Sequence, residues 1–286
     1  MSYDRILHDT QNVYINTERL RGVSKCGGGW NVPEEYLVAA GVSGGFVGIT
    51  PSGLISADFN VDRNMISPYD PIVDLFESES ISGELHYGDT KAFGFTSGIL
   101  NSYECSCEIG NIPTISFALT AYGNAGGGLD VGDRNAEADD TIMIARPGSV
   151  EVDVAGYASN AVQSFKIGVE IPREPRLVTG QNGPDGFVLK EPAEVTCSFT
   201  LMINDKVAAQ VSDALCSPSS QDLNFTFSGS CDDEGEVVRQ FFMPSARLIG
   251  TSINGEINTG LTGEFSYVTS ITNLANLKKV FTGEVF

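Results

Sequence analysis

One tryptophan, two histidines, six cysteines and only 17 basic residues in 286 leave little material for most kinds of protein chemistry. His8 and His86 stand apart, and no His-x-x-x-His or Cys-x-x-Cys spacing occurs, so a zinc site lacks its ligands. Neither histidine lies near a Gly-x-Ser-x-Gly elbow, so a Ser-His-Asp hydrolase lacks its base. The cysteines, Cys26, Cys105, Cys107, Cys197, Cys216 and Cys231, are too sparse for a disulfide scaffold in a chain this long. Cys105 and Cys107 alternate with polar neighbours in Tyr103-Glu-Cys-Ser-Cys-Glu108 and read as small core residues on one strand face. Sugar sites on β-sandwiches expose several aromatics, and Trp30 is alone of its kind. No apolar run is long enough to span a bilayer, and Met-Ser-Tyr-Asp-Arg-Ile-Leu-His-Asp-Thr lacks the basic and apolar parts of a secretory signal. The expectation is cytosolic synthesis with no membrane anchor.

Three motif-like stretches fail on inspection. Asp130, Asp133, Glu137, Asp139 and Asp140 miss the alternating ligand spacing of a calcium loop, so they read as a solvated acidic loop. Gly27-Gly-Gly-Trp30 has no following lysine and hydroxyl, which excludes a phosphate loop. Cys231-Asp-Asp-Glu-Gly-Glu236 reads as a hairpin turn with Gly235 at the special backbone angle. No catalytic, cofactor-binding or metal-binding residue is assigned, and no cofactor is expected. The 37 acidic residues bring the formal charge to −20, which keeps the chain soluble and repels nucleic-acid phosphates. Such a charge suits a surface past which DNA slides without sticking.

What is present is β structure. Hydrophobic residues make up 41% of the chain and mostly alternate with polar ones over short runs, among 32 glycines, the pattern of antiparallel strands with one wet face. Strands are expected at 45–49, 54–61, 80–87, 92–96, 100–109, 114–121, 141–145, 150–154 and 162–171. In the second half they are expected at 193–203, 222–228, 236–243, 246–254 and 263–269. Two short helices interrupt them: 67–76, with Pro68 or Pro71 in the first turn, and 205–215, with Val207, Val211 and Leu215 on one face. The stretches 22–29 and 123–140 read as glycine-rich loops.

The second half echoes the first. Phe59 and Leu75 are matched 140 residues on by Phe199 and Leu215. Gly110-Asn-Ile-Pro-Thr114 returns 145 on as Gly255-Glu-Ile-Asn-Thr259, and Tyr122 as Tyr267. A duplicated β domain follows from this reading: an N-terminal unit over 1–171, a C-terminal unit over 191–286, and between them a linker at 172–190 whose prolines and glycines oppose regular pairing.

The strand–helix–strand runs 54–87 and 195–227, the strand pairs around Phe95-Thr-Ser-Gly-Ile-Leu-Asn-Ser-Tyr103 and Phe242-Met-Pro-Ser-Ala-Arg-Leu-Ile249, and the acidic composition resemble bacteriophage tail tube proteins. The likeness covers most of 45–270 and rests on no short motif. It implies two tandem β-sandwich or half-barrel domains, each with one flanking helix, in a non-enzymatic virion protein. Six such domains would close a ring, three chains sufficing if each carries two, and rings would stack into a tube with an acidic lumen for DNA, alongside other tail proteins. The segments 16–35, 123–140 and 274–286 are the expected contacts between chains and rings. A distal tail or baseplate ring protein and a surface carbohydrate-binding or adhesin module are the alternatives.

Overall fold

The computed structural model describes residues 11–284 apart from 17, 39–45, 52–53, 66–69, 88–90, 123–124, 128–145, 147–148, 155–156, 180–182, 191, 204–219, 229–236 and 257–259. Within these residues the fold is all-β with two short helices. The first series of strands is β1 (Gln11–Ile15), β2 (Glu18–Leu20), β3 (Val23–Asn31), β4 (Glu34–Val38), β5 (Phe46–Pro51) and β6 (Ser56–Asn64). A 3-10 helix (Pro71–Glu77) then leads to β7 (Ile81–Tyr87), β8 (Lys91–Glu108) and β9 (Thr114–Tyr122). After the short β10 (Ala125–Gly127) comes a second series: β11 (Val150–Val154), β12 (Tyr157–Ser159), β13 (Val162–Glu170), β14 (Arg173–Arg176), β15 (Gly186–Leu189) and β16 (Ala193–Met202). It ends with β17 (Gln221–Ser228), β18 (Val237–Glu256), β19 (Gly260–Ile271) and one α-helix, α1 (Leu274–Thr282).

The two series pair alike. In the first, β1 pairs β2 and β7, β3 pairs β6, β4 pairs β5, β6 pairs β9, and β8 pairs β7 and β9. Each antiparallel pairing recurs ten strands later: β11 with β12 and β17, β13 with β16, β14 with β15, β16 with β19, and β18 with β17 and β19. Two pairings stand outside the scheme, β10 with β8 and β13 with β8. The second of these joins the series into one sheet.

Alternation dictates which face is dry. In β6, Ala57, Phe59 and Val61 are buried while Asp58 and Asn60 face out, and in β16 Val195, Cys197, Phe199 and Leu201 are buried while Glu194 and Thr196 face out. The buried rings meet a second layer. Phe165 and Phe199 lie 4.5 Å and 5.3 Å from Phe225 of β17, and Phe59 lies 5.5 Å from Phe95 of β8. This is sandwich packing, and each fully buried phenylalanine contributes about 1.5–3 kcal/mol.

Several expectations change on seeing the structure. The strands expected at 92–96 and 100–109 are one strand, β8, and those at 236–243 and 246–254 are one strand, β18. Each changes partner midway: β8 leaves β7 for β9 at Gly98, and β18 leaves β17 for β19 after Ala246. Register shifts at Leu100/Ser102 and Leu248/Gly250, and a left-handed Ser245 (φ 48°), let one strand turn from one layer into the other. Pro244 is tolerated at this corner, where its carbonyl accepts a bond from Thr269 Oγ1 at 2.8 Å.

The glycine-rich stretch 22–29 is not a loop but lies mostly in β3, whose backbone pairs with β6 whatever its side chains. The linker at 172–190 contains the β14–β15 hairpin, in which Pro175 stands opposite Phe187 at an edge that needs no donor from it. Strands β11 and β13 pair with strands after the hairpin, and β13 also with β8, so the hairpin does not separate two blocks of pairing. The echo also shifts by one. Phe59 pairs Leu119 and Phe199 pairs Phe265, which relates β9 to β19 by 146 and matches Tyr122 with Val268.

The helix expected at 67–76 is the 3-10 helix, capped by Asp70 Oδ1, which accepts from the Ile72 amide at 3.0 Å, with Pro71 at the start. Residues 205–215, 141–145, 231–236 and nearly all of 123–140 lie outside the described residues. The C-terminal segment, expected as a contact surface, contains α1. Asn273 caps it, Gly283 (φ 72°) ends it, and Leu277, Val280 and Phe281 are buried against the sheet.

Candidate functional site

Eight strands lie side by side in the order β3-β6-β9-β8-β13-β16-β19-β18, four from each series. Their dry face is the core, and their wet face is a regular surface eight strands wide. Register places its side chains in rows. One row runs Lys25, Asp62, Ser116, Glu104, Gly168, Thr196 and Val268, and the next runs Asn60, Ala118, Ser102, Glu170, Glu194 and Ser270.

Carboxylates dominate this face. The first series contributes Asp58, Asp62, Glu104 and Glu108, and the second Glu170, Glu194 and Glu264, against Lys25, Lys166 and Arg247. Lys166 Nζ sits 2.8 Å from Glu104 and Lys25 Nζ 3.9 Å from Asp62, both pairs partly exposed. Between the acids stand hydroxyls: Thr120 Oγ1 donates to Asp58 Oδ1 at 2.9 Å, and Ser164 Oγ bonds Thr200 Oγ1 at 3.0 Å.

Two shallow hollows straddle the junction of β8 and β13. One, of about 600 Å³, is edged by Glu108, Lys166, Thr200 and Glu264, and the other, of about 420 Å³, by Asp62, Glu104, Glu170 and Glu194. Chemically, the face offers water, counterions and a field that opposes a polyanion. Among the described residues no group of three His, Cys, Asp or Glu could hold a metal ion.

The dry side of the β8–β13 seam is closed. Ile167 stands opposite Cys105 and Val169 opposite Tyr103, and all four are buried. Below them Phe76 of the 3-10 helix, Tyr103 and Phe281 of α1 meet edge to face at 5.1–5.5 Å. Arg239 of β18 donates to the Tyr103 hydroxyl at 3.0 Å, Tyr103 donates to Asp70 Oδ2 at 2.9 Å, and Arg63 lies 3.4 Å from Asp70 Oδ1. Burial pushes the Tyr103 hydroxyl well above its ordinary value, so it keeps its proton and donates to the carboxylate. Burial also raises the Cys105 thiol to about 12, and Cys107 and Cys197 go up for the same reason. These thiols remain protonated core groups, poor nucleophiles at neutral pH. His86, the histidine within the described residues, contacts Glu84 at 2.9 Å and stacks edge-on to Tyr14, which is a structural role.

The two ends of the eight-stranded sheet are open. Beyond β6, β3 has no further strand partner among the described residues, nor has the second half of β18 beyond β19. Large apolar side chains are exposed along both: Trp30 and Val32 at the β3 end, Ile249 and Ile253 in β18. Composition did not single these out as a group, although isoleucine and tryptophan set among glycine, serine and asparagine on an edge strand is a readable signal.

The described residues thus define a two-layered all-β protein with an acidic face, buried inert thiols and apolar open edges. The family model of phage tail tube proteins matches residues 17–267, and the chain belongs to that family, a component of the virion tail. No curated protein matches the chain. No helix among the described residues is long and apolar enough to cross a membrane.

Proposed function

We propose that copies of this chain close into rings that stack as the tail tube, with the wet face of the eight-stranded sheet lining the bore through which DNA passes. The recurrence of every first-series pairing ten strands on supports reading the chain as two tandem tube units, the first ending before Val150 and the second beginning there. Each unit gives four strands to the inner sheet. Three chains then supply 24 strands, which at about 4.8 Å each make a circumference of about 115 Å and a diameter of about 37 Å before tilt. The protein works by geometry and charge rather than by bond making, is made in the host cytoplasm and carries no cofactor.

The observation that carries this reading is the row structure of the wet face, acids and hydroxyls in register across both series. It suits a wall that a duplex passes without being held, because like charges deny it contact. Purified protein imaged by negative stain tests the reading: hollow tubes support it, isolated rings assign the chain to a non-polymerising tail ring, and monomers under all conditions refute it. Charge reversal sharpens the test. Glu194→Lys with Glu264→Lys is expected to leave tubes intact yet make them retain DNA in a salt-dependent manner, measured by co-sedimentation; tubes that still release DNA freely would contradict an acidic bore.

A further inference from the structure

We infer that the buried cluster of Arg63, Asp70, Tyr103 and Arg239 holds a small monovalent anion of halide size, bound at the Arg239 guanidinium. The site lies on the dry side of the β8–β13 seam, away from the acidic face, and stands apart from the ring reading above. Arg63 comes from β6, Asp70 caps the 3-10 helix, Tyr103 belongs to β8 and Arg239 to β18. They are 3%, 1%, 0% and 5% exposed, so bulk water does not screen their charges.

Charge is the first observation. Two guanidiniums share one carboxylate: Arg63 Nη1 lies 3.4 Å from Asp70 Oδ1, whereas Arg239 reaches Asp70 through the Tyr103 hydroxyl, by bonds of 3.0 Å and 2.9 Å. Tyr103 and Cys105 keep their protons in this buried setting, so neither adds negative charge. Of the ionisable groups acting on Arg239, Asp70 is then the one anion. The Phe241 ring, 5.3 Å from the guanidinium carbon, offers a π face but no full charge. One positive charge is left in excess, and a buried charge without a counterpart is strongly disfavoured.

Unmet donors are the second observation. Arg239 Nη2 donates to Tyr103, but Arg239 Nε and Nη1 are buried and find no acceptor among the described residues. The same holds for Arg63 Nε. Buried N–H groups are rarely left unpaired. A water would accept from them and leave the excess charge in place, whereas an anion meets both needs through charge-assisted bonds. The surroundings set its size. Arg239 stands opposite Phe227 in the β17–β18 register, and Phe241 packs at 5.7 Å from Phe227 and 6.1 Å from Phe281, all three buried. Packing this dense selects a one-atom anion over phosphate or sulfate. The ion completes a link from β6 and the 3-10 helix of the first series to β18 of the second.

Chloride is the probe. Urea unfolding at fixed ionic strength, with sodium gluconate exchanged for sodium chloride, should show the folding equilibrium constant rising tenfold for each tenfold of chloride above its dissociation constant. Arg239→Met should lose that dependence and keep only the general salt effect. Wild-type crystals grown in sodium bromide need no variant: anomalous scattering should place bromide within hydrogen-bond reach of Arg239 Nε or Nη1. If Arg239→Met fails to fold, the bromide position alone decides. Water alone at those nitrogens, or a chloride dependence equal in wild type and Arg239→Met, overturns the inference.

Discussion

The seam between β8 and β13 and the pair of open edges at β3 and β18 have equivalent backbones and opposite surroundings. At the seam, a layer of Phe76, Tyr103 and Phe281 and a buried chain of Arg239, Tyr103, Asp70 and Arg63 seal the dry side. At the open edges the corresponding positions meet solvent. The difference teaches that strands at equivalent places in the pairing scheme are buried or exposed according to whether a neighbouring strand covers them. A glycine-rich β3 is poor material for an isolated edge and reasonable material for a strand completed by its neighbour.

The comparison breaks most sharply where the seam keeps its charge. Asp70→Asn leaves the helix cap but removes the carboxylate between two buried arginines, an expected loss of about 3–5 kcal/mol by urea unfolding. A loss near zero would mean the arginines are not held by that carboxylate. Equivalent positions come next: Ile167→Ala should cost about 2–5 kcal/mol of folding stability. Trp30→Ala should cost only about 1 kcal/mol, from its edge contact with Phe93, yet abolish assembly in sedimentation. Equal effects at the two sites would erase the contrast.

A smaller effect should appear in alkali. The folded Cys105 thiol titrates near 12 against an ordinary value of 9.0, so its contribution is fully present below pH 9 and is lost as pH rises toward 12. Thermal melts across that window should fall less steeply for Cys105→Ala than for the parent, once offset for the mutation's own cost. The smallest effect belongs to the wet face. Lys166→Ala breaks a half-exposed pair with Glu104, and the change should stay below about 1 kcal/mol and vanish in high salt.

Alternation made the central strands legible: β6, β9, β16 and β17 carry apolar residues at nearly every second position, and β13 does so from Phe165 on, past a bulge, so type and face were both readable. The corners of β8 and β18 were not, because Phe95-Thr-Ser-Gly98 and Pro244-Ser245 look like breaks when bulges in fact carry the strand through. Strand β3 was hidden because Gly27, Gly28 and Gly29 show no pattern and its order comes from pairing with β6. Helix α1 is readable in principle, with Asn273 before it, Leu274, Leu277 and Phe281 on one face and Gly283 after, whereas the expectation for 274–286 is a contact between chains and rings. Acidity was visible in composition; that the acids form registered rows required the pairings.

A helical reconstruction of the assembled tube tests the account most directly. It predicts three chains per ring, each spanning two of six similar sectors, with the wet face of the eight-stranded sheet lining the bore. Six chains per ring, or that face turned away from the bore, would contradict it.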